Sequence, residues 1–452
     1  MRKIHHRLTP SAFLLFLAGL GSMTEVHVVG SIAITELVMF AAGPILFVVN
    51  FHRLRREGFL PFAWLALLTC AGCIVSSKVN GTYWLWGLKA LAVPGVYFVA
   101  IVTFHHLLRK DLSAMKWFII GGFLSGIICV FVFQPETHTV RNGVQVTGLA
   151  AAEAVMGYAL FWTSRINALI QLPVRCFYLS TPFLYSCLAP LVASGVAVLG
   201  SNASGRSAAA MSVCSLACLL CGGKSRKKIA KLGKNLFLLF VALMLAALAF
   251  KAIYSRLAKS GMLGEAGVRK YERQTATGTG ILSMLMAGRM ELFCGLQACL
   301  DYPIIGLGPR AEDRYGYIEN YLQKYASQED FENYLADARN QRRKYGYFYE
   351  LIPAHSHIVY FWLWYGIFGL FIWLYVFWMM YKYFRAYAFA IPQWYGYMCL
   401  SIPALCWDIL FSPPGGRLSM TFFITCLHFC RAVALRKINL PMEMQVEAYH
   451  AT

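Results

Sequence analysis

A histidine–serine pair, His355-Ser356, stands where a long polar segment of the chain runs into a late apolar segment. A neutral imidazole at such a boundary is the side chain best suited to accept a proton near pH 7. A histidine at the start of a helix is also commonly a cap or an interfacial residue, and spacing alone favours that interpretation. His357 is a second candidate base, so the sequence leaves open which of the two imidazoles acts.

The two histidines also raise the question of a metal site. A metal ion needs a third and a fourth ligand, and no neighbouring Cys, Asp or His has suitable spacing. The cysteines lie in or beside apolar segments, where they serve as small packing residues, except for Cys294 and Cys299. Five residues apart on a helix, these two point away from each other. We therefore predict no metal site, and we find no residues that indicate a cofactor.

Two arginines are further candidates for chemistry. Arg206 follows Ser201-Asn202-Ala203-Ser204-Gly205 at the end of an apolar segment, and Arg289 lies within the polar segment. Most loop arginines are solvated cations, and an arginine beside a membrane commonly extends towards the lipid headgroups. Arg206 falls on the predicted outer face of the membrane, where the positive-inside rule disfavours arginine. Its presence there calls for a reason.

The elements that must position these residues are membrane helices. The chain has 452 residues, of which 58% are hydrophobic and only 14% charged, which is too apolar for a soluble globular protein. Its apolar runs have the length needed to cross about 30 Å of hydrocarbon. We predict an all-α polytopic membrane protein with about 12 transmembrane helices, at residues 11–29, 31–51, 60–78, 84–104, 117–134, 149–164, 177–200, 207–222, 235–254, 357–379, 390–411 and 417–434.

The residues that give the net charge of +20 are distributed as this topology requires. With the N-terminus inside, the basic residues collect on the cytoplasmic connections, and the outer connections carry little beyond Lys78, Arg141, Arg206 and Arg417. That asymmetry satisfies the positive-inside rule and predicts that both termini are cytoplasmic. The positive charge is therefore explained by topology and by attraction to membrane lipids. It does not indicate a nucleic-acid partner, because no basic soluble domain is present to bind one.

The predicted organisation has four parts. Residues 1–254 carry transmembrane helices 1 to 9, residues 255–353 form a large helical periplasmic loop, residues 354–436 carry helices 10 to 12, and residues 437–452 are a cytoplasmic tail. Within the loop, 283–301 is predicted to be a helix that ends before Pro303. One or two further helices are predicted over 311–340, where Tyr317, Tyr321 and Tyr325 share one face.

One motif resembles the bacterial O-antigen ligase family. His355-Ser356, nine residues, and then Gly366-Ile367-Phe368-Gly369 fit that family's pattern of His, then Asn, Ser or Gln, nine residues, and Gly-x-x-Gly. The family also carries its histidine where a large periplasmic loop enters a late membrane helix. His357 is a departure, because the family motif fixes nothing at that position.

Two further stretches are similar to motifs of the same family. The first runs from Gly288-Arg289 to Asp301-Tyr302-Pro303 and the turn Gly306-Leu307-Gly308-Pro309, and the second is Ser201–Arg206. The resemblance in topology covers roughly residues 11–434. The motifs themselves are confined to 201–206, 288–309 and 355–369, and elsewhere the likeness is one of hydropathy.

The resemblance implies a chemistry. It implies a glycan donor on undecaprenyl diphosphate, presented at the periplasmic side of the bacterial inner membrane, with Arg206 and Arg289 binding the diphosphate and His355 acting on the acceptor hydroxyl. It implies transfer to lipid A-core with inversion and without a metal ion or cofactor. Motif positions that shape the site would be Ser356, Gly366, Gly369, Pro303, Gly306 and Gly308.

Alternative functions remain open at this point. A polymerase of the same superfamily would use another carrier-linked glycan as acceptor, and related protein O-oligosaccharyltransferases use protein. A transporter such as a glycan flippase is the alternative from a different class. It would have ionisable residues within the membrane and two matching halves; Glu36 and Lys89 lie in or near apolar segments, but no half-symmetry is visible. The loop tyrosines would either stack on sugars or form the loop's own core.

Overall fold

The computed structural model describes residues 9–23, 25–27, 31–132, 149–200, 205–222, 290–325, 351–354, 356–412 and 417–438, with isolated positions between 252 and 275 and between 331 and 339. These described residues are almost entirely helical. The described residues form fourteen α-helices, numbered α1 to α14 in chain order: Pro10–Leu20, Ile34–Arg56, Leu60–Val79, Trp84–Lys110, Met115–Val132, Leu149–Phe177, Phe183–Gly200, Gly205–Gly222, Met290–Asp301, Tyr317–Tyr325, His357–Tyr365, Ile367–Ala390, Tyr395–Phe411 and Arg417–Ala434. Short 3₁₀ turns cover Gly21–Met23, Leu112–Ala114 and Pro392–Trp394.

The helical architecture predicted from the apolar segments is confirmed. Three helices, α2, α3 and α4, are by length and composition able to cross a membrane. Other helices occupy the remaining predicted segments that the structure describes. The predicted span 235–254 lies almost entirely outside the described residues.

The first predicted span, 11–29, differs from what the structure contains. Helix α1 ends at Leu20, and an antiparallel hairpin of two three-residue strands follows, β1 (Glu25–His27) and β2 (Ser31–Ala33), with Val26 opposite Ile32. Gly21 caps the helix, its backbone N–H reaching the carbonyl of Leu17. Glycine commonly ends helices, and the β-branched residues beyond it favour strands. Hydropathy alone does not distinguish such a hairpin from helix.

The helices form a bundle with two chemically different ends. We call one end of the bundle the loop end. There the turn between α3 and α4 contacts the 303–309 segment, and the Asn80 side chain donates a hydrogen bond to the carbonyl of Gly306 at 3.2 Å. At the other, the basic end, Arg109 pairs with the buried carboxylate of Glu57. There Arg431 donates to the carbonyl of Gly58 at 3.1 Å.

A second, smaller core joins α9 and α10 to the bundle. Its buried members are Cys294, Ala298, Cys299, Leu307, Tyr317, Ile318, Leu322, Ile352, Val359 and Leu363. Two cysteines serve it as small packing residues: the Cys294 thiol donates to the carbonyl of Tyr317 and the Cys299 thiol to that of Val359. Both are free thiols. Since this core includes residues of α11, the loop unit (residues 290–325) is packed directly on the helix that follows His355.

Candidate functional site

Ser356 fixes the start of helix α11. Its side chain is fully buried, accepts a hydrogen bond from the backbone N–H of Val359 and donates to the carbonyl of Ile409 at 2.9 Å. A serine in this N-cap position satisfies a backbone donor that the first helical turn leaves unpaired. The second bond ties the cap to the end of α13. The residue before Ser356 is therefore attached to a cap anchored on two helices.

The predicted helix 357–379 is wrong as a single helix, because Gly366 divides it into α11 and α12. Gly366 has φ 66° and ψ −156°, a backbone conformation that is essentially restricted to glycine. A Cβ at this position would overlap the carbonyl oxygen of Ile304. The break lets the 303–309 segment approach the chain where the helix ends.

That approach brings two of the predicted motifs together. The backbone N–H of Leu307 donates to the carbonyl of Leu363 at 2.8 Å, and the N–H of Ile367 donates to the carbonyl of Ile304 at 3.0 Å. The carbonyl of Pro303 accepts a bond from the Trp362 indole at 2.8 Å. The predicted motif positions Pro303, Gly306, Gly308, Gly366 and Gly369 thus belong to one structural unit, which we call the glycine clasp (residues 303–309 and 362–369).

Glycine is required twice more in the clasp. Gly306 has φ 74°, and a Cβ there would lie 2.5 Å from the carbonyl oxygen of Leu363. Gly369 sits so close to α11 that a Cβ would overlap the carbonyl oxygen of Phe361. Small residues permit this close backbone approach.

The structure describes only some of the candidate catalytic residues. His355 and Arg289 lie outside the described residues, directly before Ser356 and Met290 respectively. His357, the rival base, is fully buried, with its ring 5.2 Å from that of Trp373. Within the part of the chain that the structure describes, neither of its ring nitrogens has a hydrogen-bond partner.

The backbone position of Arg206 is described. It is the second residue of α8, and its side chain is not among those described. Helix α8 runs antiparallel to α13, since the Tyr395 hydroxyl donates to the carbonyl of Cys218 and the Ser215 hydroxyl to that of Leu400. The first turn of α8 therefore lies at the loop end, where α13 finishes and Ser356 binds it.

The structure describes a further arginine, Arg310, whose neighbour Ala311 pairs with the segment 351–354 that precedes His355. Arg310 follows the clasp turn, and its guanidinium lies 3.5 Å from the centroid of the Trp86 ring, which also carries the ammonium of Lys89 at 4.3 Å. Arg310 has φ 55°, which is uncommon for a residue other than glycine and often marks a functional position. The next residue, Ala311, accepts a hydrogen bond from the N–H of Ile352 at 2.9 Å. That bond holds Arg310 next to the strand-like segment leading to His355.

Arg417 is another arginine at this end of the bundle. Its guanidinium binds both carboxylate oxygens of Glu36 at 3.0 Å, and Glu36 also accepts from the N–H of Ala33. This pair joins the first turns of α14 and α2.

Neither Arg310 nor Arg417 is among the arginines that the sequence predicts for the site. Arg310 comes directly after Gly306-Leu307-Gly308-Pro309, and Arg417 is one of the few cations on the predicted outer side, as Arg206 is. The positive-inside rule disfavours both residues on that side. The guanidinium of Arg310, which the Trp86 ring holds in place, suits the binding of a phosphate-rich group, whereas that of Arg417 is already paired with Glu36.

Comparison with known proteins identifies no relative of this chain. No protein-family model, no curated protein and no solved structure matches the chain. The resemblance to the O-antigen ligase family therefore rests on the motifs of the chain itself, of which the glycine clasp is the part the structure describes in full.

Proposed function

We propose that the protein is a membrane glycosyltransferase that moves a glycan from undecaprenyl diphosphate to an acceptor hydroxyl at the outer face of the bacterial inner membrane. The acceptor we favour is lipid A-core, which makes the protein an O-antigen ligase. A polymerase of the same superfamily would share the donor and the chemistry and differ in the acceptor.

The observation that carries the proposal is the glycine clasp. The family pattern has glycines after the histidine and in the periplasmic loop, far apart in sequence. The pattern alone does not explain why both sets are glycine. In this chain those glycines meet through backbone hydrogen bonds between Leu307 and Leu363 and between Ile367 and Ile304. A role in positioning the residue before Ser356 explains both sets of glycines at once.

The proposed reaction is a direct displacement at the anomeric carbon. The acceptor hydroxyl gives its proton to the His355 imidazole and forms the new glycosidic bond, while the bond from the sugar to the diphosphate breaks. Undecaprenyl diphosphate leaves with the electron pair, and the configuration inverts. Arg206 and Arg289 bind the departing diphosphate, and Arg310 adds a third guanidinium that the Trp86 ring holds in place. Fixed positive charge where negative charge develops stabilises the transition state.

The proposed topology has about 12 spans, with both termini cytoplasmic and the loop end periplasmic. It is supported by the ends of the described bundle, since Arg109 and Arg431 mark the basic end and the loop unit the other. Positive residues favour the cytoplasmic side.

The proposal is tested by three variants in a strain that lacks the native protein. We expect His355→Ala, Arg206→Ala and Arg289→Ala each to abolish glycan transfer, measured on gels of extracted lipopolysaccharide, while the protein still accumulates in the membrane fraction. Full transfer by all three variants would overturn the assignment. The product that accumulates in the inactive variants distinguishes the two proposed activities. Long chains retained on the carrier indicate a ligase, and single repeats on core indicate a polymerase.

A further inference from the structure

The loop unit contains a cavity of about 760 Å³ between α9 and α10. This volume lies within the range of small-molecule sites, roughly 300–1,000 Å³. Residues 293, 297 and 301 line it from one face of α9, and residues 317, 320 and 321 line it from one face of α10. The cavity is separate from the clasp and from the cations beside Trp86.

The walls of the cavity are rich in aromatic rings. The rings of Tyr302 and Tyr315 lie 5.4 Å apart, and those of Phe293 and Tyr321 lie nearly parallel at 6.3 Å. Tyr317 is buried in the loop's own core, but Tyr315 is 55% exposed. Tyrosines on a cavity wall offer an apolar ring and a polar hydroxyl to the same ligand. The loop tyrosines therefore divide between the two roles that the sequence left open.

The polar groups that the described residues contribute to the cavity include both donors and acceptors, and their charges are balanced. The Gln297 amide donates to the carboxylate of Asp301 at 3.1 Å. The hydrogen bond with Tyr315 raises the pKa of Tyr302. Among the described residues on the wall, the charged groups are one carboxylate, Asp301, and one ammonium, Lys324. A phosphate-rich ligand would need an excess of cations, whereas sugar hydroxyls need donors and acceptors together.

We propose that this cavity binds a neutral saccharide, with the pyranose ring against Tyr302 and Tyr315 and its hydroxyls bound to Asp301 and Gln297. The identity of that saccharide as part of the transferred glycan or of the acceptor rests on the proposed function. Tyr302 directly precedes Pro303, the first residue of the clasp. A sugar chain held here would lie on the loop unit, which packs on α11.

The test is saturation-transfer NMR on the detergent-solubilised full-length protein with maltose, lactose and chitobiose as probes at millimolar concentration. We expect at least one of them to bind, and Tyr315→Ala and Tyr302→Ala each to weaken that binding at least tenfold. Tyr315→Phe should bind more tightly than Tyr315→Ala, because the ring is kept. The matched control is Tyr381→Ala, a tyrosine of α12 that is 86% exposed and does not line the cavity.

Two results would overturn the proposal: no saturation transfer from any of the three probes, or binding undiminished by Tyr315→Ala and Tyr302→Ala. The transfer assay separates this inference from the proposed function. Binding by a protein that transfers no glycan contradicts the proposed function alone. Transfer by a protein that binds none of the probes contradicts the saccharide site alone.

Discussion

Gly366 and Ile304 are in direct backbone contact, although 62 positions separate them in the sequence (366 − 304). The carbonyl oxygen of Ile304 occupies the place that a Cβ on Gly366 would take, and it accepts the N–H of Ile367 at 3.0 Å. The contact closes the glycine clasp. It joins the loop unit to the helices on which Ser356 and its neighbour depend.

Substitution of Gly366 should open the clasp. Gly366→Ala introduces a side chain at φ 66°, where strain alone costs about 1–3 kcal/mol, and the overlap with Ile304 adds to it. We expect a lower thermal unfolding temperature in detergent and a loss of glycan transfer. The matched control is Gly195→Ala in α7, where a Cβ meets nothing within 4 Å and where alanine should be neutral or stabilising. Equal stability of the two variants would show that the clasp is not needed.

Arg310 should contribute to donor binding. Arg310→Asn removes the charge while keeping a residue that tolerates positive φ, so charge and backbone effects are separated. Loss of a charge-assisted contact of about 1.5–3 kcal/mol corresponds to a roughly ten- to hundredfold rise in KM for the donor. The control is Arg314→Asn, an exposed arginine of the same loop that pairs with Glu312. An unchanged KM in Arg310→Asn would exclude Arg310 from the donor site.

Arg417 and Glu36 should show strong coupling. Arg417→Ala leaves the Glu36 carboxylate, which is 2% exposed, without its partner, and an uncompensated buried charge costs about 3–5 kcal/mol. The double variant Glu36→Gln with Arg417→Met removes both charges and keeps an acceptor for the N–H of Ala33. It should therefore be more stable than Arg417→Ala. Thermal unfolding of the set measures the coupling, and additive effects would contradict it.

His357 should be dispensable for the reaction. His357→Phe replaces a buried ring, whose two nitrogens have no hydrogen-bond partner among the described residues, with an apolar ring against Trp373. Removal of unsatisfied polar groups is neutral or stabilising, by about 1 kcal/mol. We expect unchanged transfer in this variant and no transfer in His355→Ala. Loss of transfer in a stably folded His357→Phe would make His357 the base.

Chelation should leave the reaction unchanged. In the proposed site, arginines provide the positive charge that a divalent ion provides in many phosphate-transfer enzymes. Transfer by purified protein is therefore expected to proceed equally with and without EDTA. Inhibition by EDTA that a divalent cation reverses would show that the diphosphate is bound through a metal.

Sequence patterns predict which segments of this protein are helical better than they predict where each helix ends. Apolar length locates α3 and α14 almost to the residue, since hydrophobicity decides where a helix can cross a membrane. It misplaces the end of α1 and misses the break at Gly366, because both depend on local backbone conformation and on which chain segment packs there. The motif spacing identifies Ser356 and the clasp glycines. It does not identify Arg310, whose position beside Trp86 depends on a contact between residues far apart in sequence.

Reconstituted transfer tests the central claim most directly. The purified protein would be placed in liposomes with an undecaprenyl-diphosphate-linked oligosaccharide and lipid A-core, and the release of free undecaprenyl diphosphate would be followed together with the glycosylated acceptor. The account predicts equal amounts of both products with the wild-type protein and neither product with His355→Ala. Absence of both products with the wild-type protein, or their formation at the same rate by His355→Ala, would contradict it.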